Sequence, residues 1–178
     1  MAAEYRGYSG NPGRASEAGL AVDADAFFAR AKALAGTRRV IVIGHSLGGG
    51  VAFGLARRQR LDALVTIGTF SGLRAMAPKI ARAFMSDRYD NLGAVPTLDE
   101  PYFLIHGLAD DTVPASEGNK LHNAAVAAHR QGASFALAGI DHHPPGGLIA
   151  TLVEMIDTHL SGAPWPEPPA GVKIYPFG

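Results

Sequence analysis

Three groups of residues in this chain have types and spacing suited to nucleophilic catalysis. Gly44-His45-Ser46-Leu47-Gly48 fits G-x-S-x-G, a pattern in which glycines let the chain turn tightly enough to present a serine hydroxyl. Serine is a poor nucleophile at neutral pH, so it needs a base, and the base needs an orienting acid. Downstream, IHGLADDTVP carries Asp110 and Asp111, and LAGIDHHPPGG carries His142 and His143. With 22 glycines, the serine pattern alone arises by chance in roughly one chain in eight. A plain glycine-rich turn therefore explains it equally well until its context is considered.

That context is supplied by the elements around it. Val40–Ile43 is a short β-branched run, read as a strand buried on both faces, and Gly48–Arg60 returns to a helical pattern. A serine between a strand and a helix stands at the rim of a sheet, near the positive end of the helix. Ala63–Ile67, Tyr102–Ile105 and Ser134–Ala138 read as further strands. Ser16–Ala35, Ser116–Arg130 and Leu148–Leu160 have helical spacing, the first capped by Ser16 and ended by Gly36. This alternation predicts an α/β class: a three-layer α/β/α domain with a mainly parallel sheet. Ligands in such sheets bind beyond the carboxyl ends of the strands, which is where Ser46, Asp110 and His142 fall. Their chain order, Ser, Asp, His, is that of α/β-hydrolases rather than of chymotrypsin- or subtilisin-type enzymes.

Each residue also has a plainer reading. An aspartate in a Gly-rich loop before a proline commonly makes a local turn, which applies to Asp110 and more strongly to Asp111. Asp141, His142 and His143 are too close in sequence to ligate one metal without hindrance, and no H-E-x-x-H accompanies them, so neither a metal nor a cofactor is expected. His45, His106, His122, His129 and His159 read as structural or surface residues.

Bulk properties narrow the function. The 178 residues fit one domain at 1–161, with 76–100 as a connection or cap and 162–178 as a loosely held Pro/Gly-rich tail. Lys plus Arg and Asp plus Glu are equal at 16 each, which argues against nucleic-acid or anionic-membrane partners. There is no cysteine, so catalysis must use oxygen and nitrogen. MAAEYRGYSGNPGR lacks a secretory h-region and no apolar run approaches a membrane span, so a cytoplasmic location is expected.

GHSLGG, HGLADDTVP and GIDHH together resemble the α/β-hydrolase superfamily, in particular the serine-hydrolase group related to dienelactone hydrolases and serine aminopeptidases. YRGYSGNPGRASEAGLAVDADAFF and SDRYDN resemble other stretches of that group, and the likeness spans Tyr5 to Leu160. The resemblance implies Ser46 as nucleophile, Asp110 as acid within H-G-x-x-D-x-x-V-P, and His142 as base, with His143 second in line. It implies the backbone N–H of Leu47 as one oxyanion donor. The expected activity is hydrolysis of a small-molecule carboxylic ester without a cofactor; a non-catalytic remnant serving as an interaction module and a peptidase of the same fold remain alternatives. Relatives carry strands before the YRGY segment, including one whose H-G loop gives the second oxyanion donor. The chain therefore reads as N-terminally shortened, with Val40–Ile43 left as an apolar edge. A longer parent protein, a homo-oligomer meeting at that edge, or the tail folded over it would each resolve this.

Overall fold

Apolar residues recurring at periods of two and 3.6 become, in the computed structural model, a five-stranded sheet with helices on both faces. The structure describes residues 1–76 and 86–178. Helix α1 spans Glu17–Ala35; Ser16 Oγ accepts from Gly19 N at 3.1 Å, and Gly36 closes it at φ +63°, where a Cβ would be penalised. Strand β1 (Ile41–His45) leads into α2 (Leu47–Ala56), and β2 (Ala63–Ile67) follows. Next come α3 (Leu73–Met76), α4 (Asn91–Ala94) and a 3-10 turn at Val95–Thr97. The chain continues through β3 (Tyr102–Gly107), α5 (Ala115–Ala127), β4 (Gly132–Leu137), α6 (Gly146–Leu160) and β5 (Val172–Pro176).

The strands lie in sequence order, with β1 to β4 parallel and β5 antiparallel against β4. Ile43, Val65, Phe103 and Ala133 share one row across the sheet. The uniformly apolar runs follow from burial of both faces. Val65, Ile67, Phe103, Ile105, Phe135 and Leu137 pack with Leu152, Met155 and Ile156 of α6. Leu64, Tyr102 and Leu104 point the other way, into a core with Leu20 and Phe28 of α1, Phe53 of α2 and Leu121 of α5. Thr66 Oγ1 and the Tyr102 hydroxyl satisfy each other inside that core at 2.9 Å.

Two expectations change. The first strand is shifted to Ile41–His45 and is not buried on both faces: Ile43 is 45% exposed, because β1 is the sheet's outer strand and a groove of about 420 Å³ runs along it. The 162–178 segment is not a loose tail. Trp165 stacks on His159 with ring centroids 3.9 Å apart and meets Phe103 and Phe135 edge-on, and Val172–Pro176 then forms β5. This strand covers β4, the edge opposite the one considered from the sequence, and Phe177 is buried beyond it. Pro176 is tolerated because one side of an outer strand needs no donor. Residues 86–100, part of the segment expected as a connection or cap, lead into β3 and pack on the helical layer. Glu17 carboxylate oxygens accept from Arg88 N and Tyr89 N at 2.7 and 3.2 Å, and Tyr89 fills the space beside Gly50. The rest of that expected segment, 77–85, lies outside the described residues.

The YRGY turn is fastened to α1 by charge. Arg6 Nε and Nη2 donate to the Asp23 carboxylate at 2.6 to 3.0 Å and Arg6 N adds a bond at 3.1 Å. Hydrogen bonding from Arg6 holds the Asp23 carboxyl below its ordinary value.

Candidate active site

Ser46 sits on the turn between β1 and α2 at φ +52°, ψ −119°, a left-handed conformation that costs a non-glycine residue about 1–3 kcal/mol and persists only where surroundings enforce it. The enforcement comes from glycines. A Cβ on Gly44 would lie 2.3 Å from the Gly48 carbonyl oxygen, and one on Gly49 would lie 2.0 Å from Thr69 Oγ1. A Cβ on Gly48, the second glycine of the pattern, would meet nothing within 4 Å outside its own helix backbone; the close packing of an added side chain falls on Gly49 instead. Ser46 N donates to Ile67 O at 2.9 Å, tying the turn to the end of β2. The serine hydroxyl caps none of α2's N–H groups and has no hydrogen-bond partner among the described residues. Leu47 occupies the first position of α2, where backbone N–H groups have no partner within the helix.

Asp110 lies in the loop after β3, with a fully buried side chain. Its Oδ1 accepts from Thr112 N at 3.0 Å and Val113 N at 2.7 Å, while Oδ2 faces His142 Nδ1 at 2.8 Å. Burial pushes this carboxyl up, but the hydrogen bonds from His142 and Val113 outweigh it and hold the group below its ordinary value of 3.8. A carboxylate can only accept, so the proton lies on His142 Nδ1 and Nε2 is left as the basic nitrogen. His142 follows β4 and is buried, whereas His143 is exposed. The His143 N–H instead closes a turn onto Asp141 Oδ1 at 2.8 Å. Asp111 is exposed and bonded locally to Thr112.

Two glycines let these loops converge. A Cβ on Gly107 would lie 2.3 and 2.4 Å from the carbonyl oxygens of Ile140 and Asp141, so the loops that carry Asp110 and His142 touch backbone to backbone. Gly68, at φ +53°, sits 3.2 Å (measured from an ideal Cβ) from both Asp110 Oδ2 and His142 Nδ1. It follows Ile67, whose carbonyl receives Ser46 N–H, so Ser46 and the His142–Asp110 pair share one rim of the sheet. Ser46 and His142 are not themselves hydrogen-bonded.

His45, read from the sequence as structural or surface, has a more specific position, and so has Glu117, which the sequence did not single out. His45 Nε2 lies 2.8 Å from the His142 carbonyl oxygen, with the two ring centroids 4.8 Å apart; it links the serine turn to the loop that carries His142. Glu117, on α5, is buried and accepts from Ser71 N at 2.9 Å and Ser71 Oγ at 2.5 Å, and it pairs with Lys120. Burial raises its carboxyl, but bonds from Lys120 and Ser71 prevail and leave it below its ordinary value. Both links join residues far apart in the chain, for which local spacing carries no signal. A cavity of about 320 Å³ opens beside Ser46, walled by Tyr5, Tyr8, Leu20, Leu47 and Val51. Among the described residues, no group of three or more His, Asp or Glu side chains could hold a metal ion.

Compared with known families, residues 1–174 match the alpha/beta hydrolase family. The chain belongs to this family. An uncharacterized protein of Mycobacterium tuberculosis is 34% identical over 149 residues, covering 80% of this α/β-hydrolase chain and 52% of the relative. Human protein ABHD12B is 30% identical over 153 residues, covering 73% and 42%. The chain thus spans about half the length of the curated relatives it matches. Among solved structures, a puromycin-hydrolyzing peptidase of M. tuberculosis superposes with TM-score 0.64 at 18% identity, covering 88% of this chain and 27% of that one. Esterase RhEst1 from Rhodococcus gives 0.61 at 18%, covering 87% and 76%. At such identities these structures support the α/β-hydrolase fold alone. No helix among the described residues is long and apolar enough to cross a membrane.

Proposed function

We propose that the chain is a serine hydrolase that cleaves small carboxylic esters through an acyl-enzyme. The observation that carries this reading is the 2.8 Å hydrogen bond between buried Asp110 and His142 at the rim that also presents Ser46. Ser46 Oγ attacks the acyl carbon while His142 Nε2 takes its proton; Asp110 holds the ring and balances the imidazolium. The imidazolium returns the proton to the departing alkoxide, releasing an alcohol, and water repeats the sequence to release the acid. The hydroxyl and imidazole meet when substrate fills the site, as catalytic hydrogen bonds commonly tighten only then. Leu47 N–H receives the oxyanion, and the apolar walls beside Ser46 accommodate the acyl group.

A second reading, a catalytically weak or inactive relative acting as an interaction module, draws on the single oxyanion donor identified at the elbow. Loss of one such donor costs about 10² to 10³ in rate. A fluorophosphonate probe separates the two. Labelling that disappears in Ser46→Ala supports the hydrolase, and absence of labelling in folded protein supports the inactive module. Because similar structures include both an esterase and a peptidase, a panel of matched p-nitrophenyl esters and anilides then tests ester against amide cleavage.

A further inference from the structure

His106 is the last residue but one of β3, on the face that meets α5, two residues beyond Leu104 of the core. Nothing in the hydrolytic scheme uses it, yet its placement is specific. The side chain is 7% exposed, and Nε2 lies 2.9 Å from Val113 O and 3.7 Å from Asp110 Oδ2. A carbonyl only accepts, so the proton lies on Nε2. Val113 is therefore gripped at both ends: its N–H donates to Asp110 Oδ1 at 2.7 Å, and its C=O accepts from His106. The opposite nitrogen, Nδ1, is buried with no hydrogen-bond partner, an arrangement that costs free energy and that an apolar side chain would avoid. Room for the ring exists because α5 has no side chain at Gly118, where a Cβ would lie 2.6 Å from Nδ1.

We infer that His106 is a positioning residue for the acid: it locks Val113, which locks Asp110 Oδ1, so that Oδ2 meets His142 Nδ1 in one orientation. This rests on the hydrolase reading for its catalytic consequence, but the geometry of the Asp110–His142 pair can be read without turnover. His106→Phe keeps the ring's bulk and removes the donor; His106→Gln puts an amide N–H near the position of Nε2. The proton between His142 Nδ1 and Asp110 gives a far-downfield NMR resonance, to be identified by its loss in Asp110→Asn. It is expected in the unmodified chain and in His106→Gln, and to be lost or broadened in His106→Phe. In parallel, kcat for a p-nitrophenyl ester is expected to fall about tenfold or more in His106→Phe with KM changed less than about twofold, and to recover in His106→Gln. If His106→Phe does not fold, His106→Asn, whose amide is too short to reach Val113 O, replaces it. An unchanged resonance together with an unchanged kcat in the Phe or Asn variant overturns the inference. Absence of turnover in the unmodified chain would count against the hydrolase reading instead, leaving the resonance to decide the role of His106.

Discussion

Replacing Gly107 by alanine tests the convergence of the Asp110 and His142 loops directly. The added Cβ would sit 2.3 Å from Ile140 O and 2.4 Å from Asp141 O, against an ordinary contact that begins near 3.4 Å. One loop must therefore retreat by about 1 Å, and both obstacles are backbone, which no rotamer change can remove. Overpacking of this kind costs about 1–3 kcal/mol, or a fall in Tm of roughly 3–10 °C for a domain of this length. The retreat also separates Asp110 from His142, and a 1 Å misplacement is worth about 10² in rate. The assay is fluorophosphonate labelling at a temperature well below both melting points, with Tm from scanning fluorimetry. Gly48→Ala is the control, since the added Cβ would meet nothing within 4 Å beyond its own stretch of backbone; it is expected to label normally and to gain up to about 1 kcal/mol from helix propensity. Gly107→Ala labelling within about threefold of the unmodified chain, with Tm unchanged, would refute the reasoning from close backbone approach.

Acid stability offers another check. Because the Asp110 carboxyl is held below its ordinary 3.8, its stabilisation is present above that value and lost as pH falls through the lower folded value. Urea midpoints measured from pH 6 downward are expected to fall less steeply in Asp110→Asn, and parallel curves would contradict this. Phe177→Ala removes a side chain that is 2% exposed and stacked on Tyr102 at 5.6 Å, so a loss of about 3–5 kcal/mol is expected in denaturant unfolding; a loss below about 1 kcal/mol would show that the segment after α6 contributes little. The homo-oligomer expected at the β1 edge is checked by sedimentation. A dimer converted to monomer by Ile43→Lys supports edge pairing, and a monomeric mass for the unmodified chain rules it out.

The parts of the fold that were legible in the sequence are those whose information is local. Ser16 and Gly36 bound α1 because a cap and a left-handed closing residue act within one turn, and β2 begins and ends with its apolar run at Ala63–Ile67. Ser46, Asp110 and His142 could be picked out because each follows a strand, so the topology alone carries their loops to the same rim. The β5 strand was hidden: proline and glycine dominate the segment before it, and Val172–Pro176 is a strand only because β4 offers an edge and the Phe135–Phe103 surface offers a seat for Trp165.

The βα alternation, the mainly parallel sheet and the candidate nucleophile, acid and base were thus legible in the sequence itself, since they depend on periodicity and position along the chain. Tertiary structure decided which of two adjacent histidines faces Asp110, which glycines admit close backbone contact, and that His45, His106 and Glu117 tie separate loops together. Those outcomes depend on distances between residues remote in sequence. Backbone sterics and hydrogen-bond geometry at the strand ends fix such distances only once the sheet has formed.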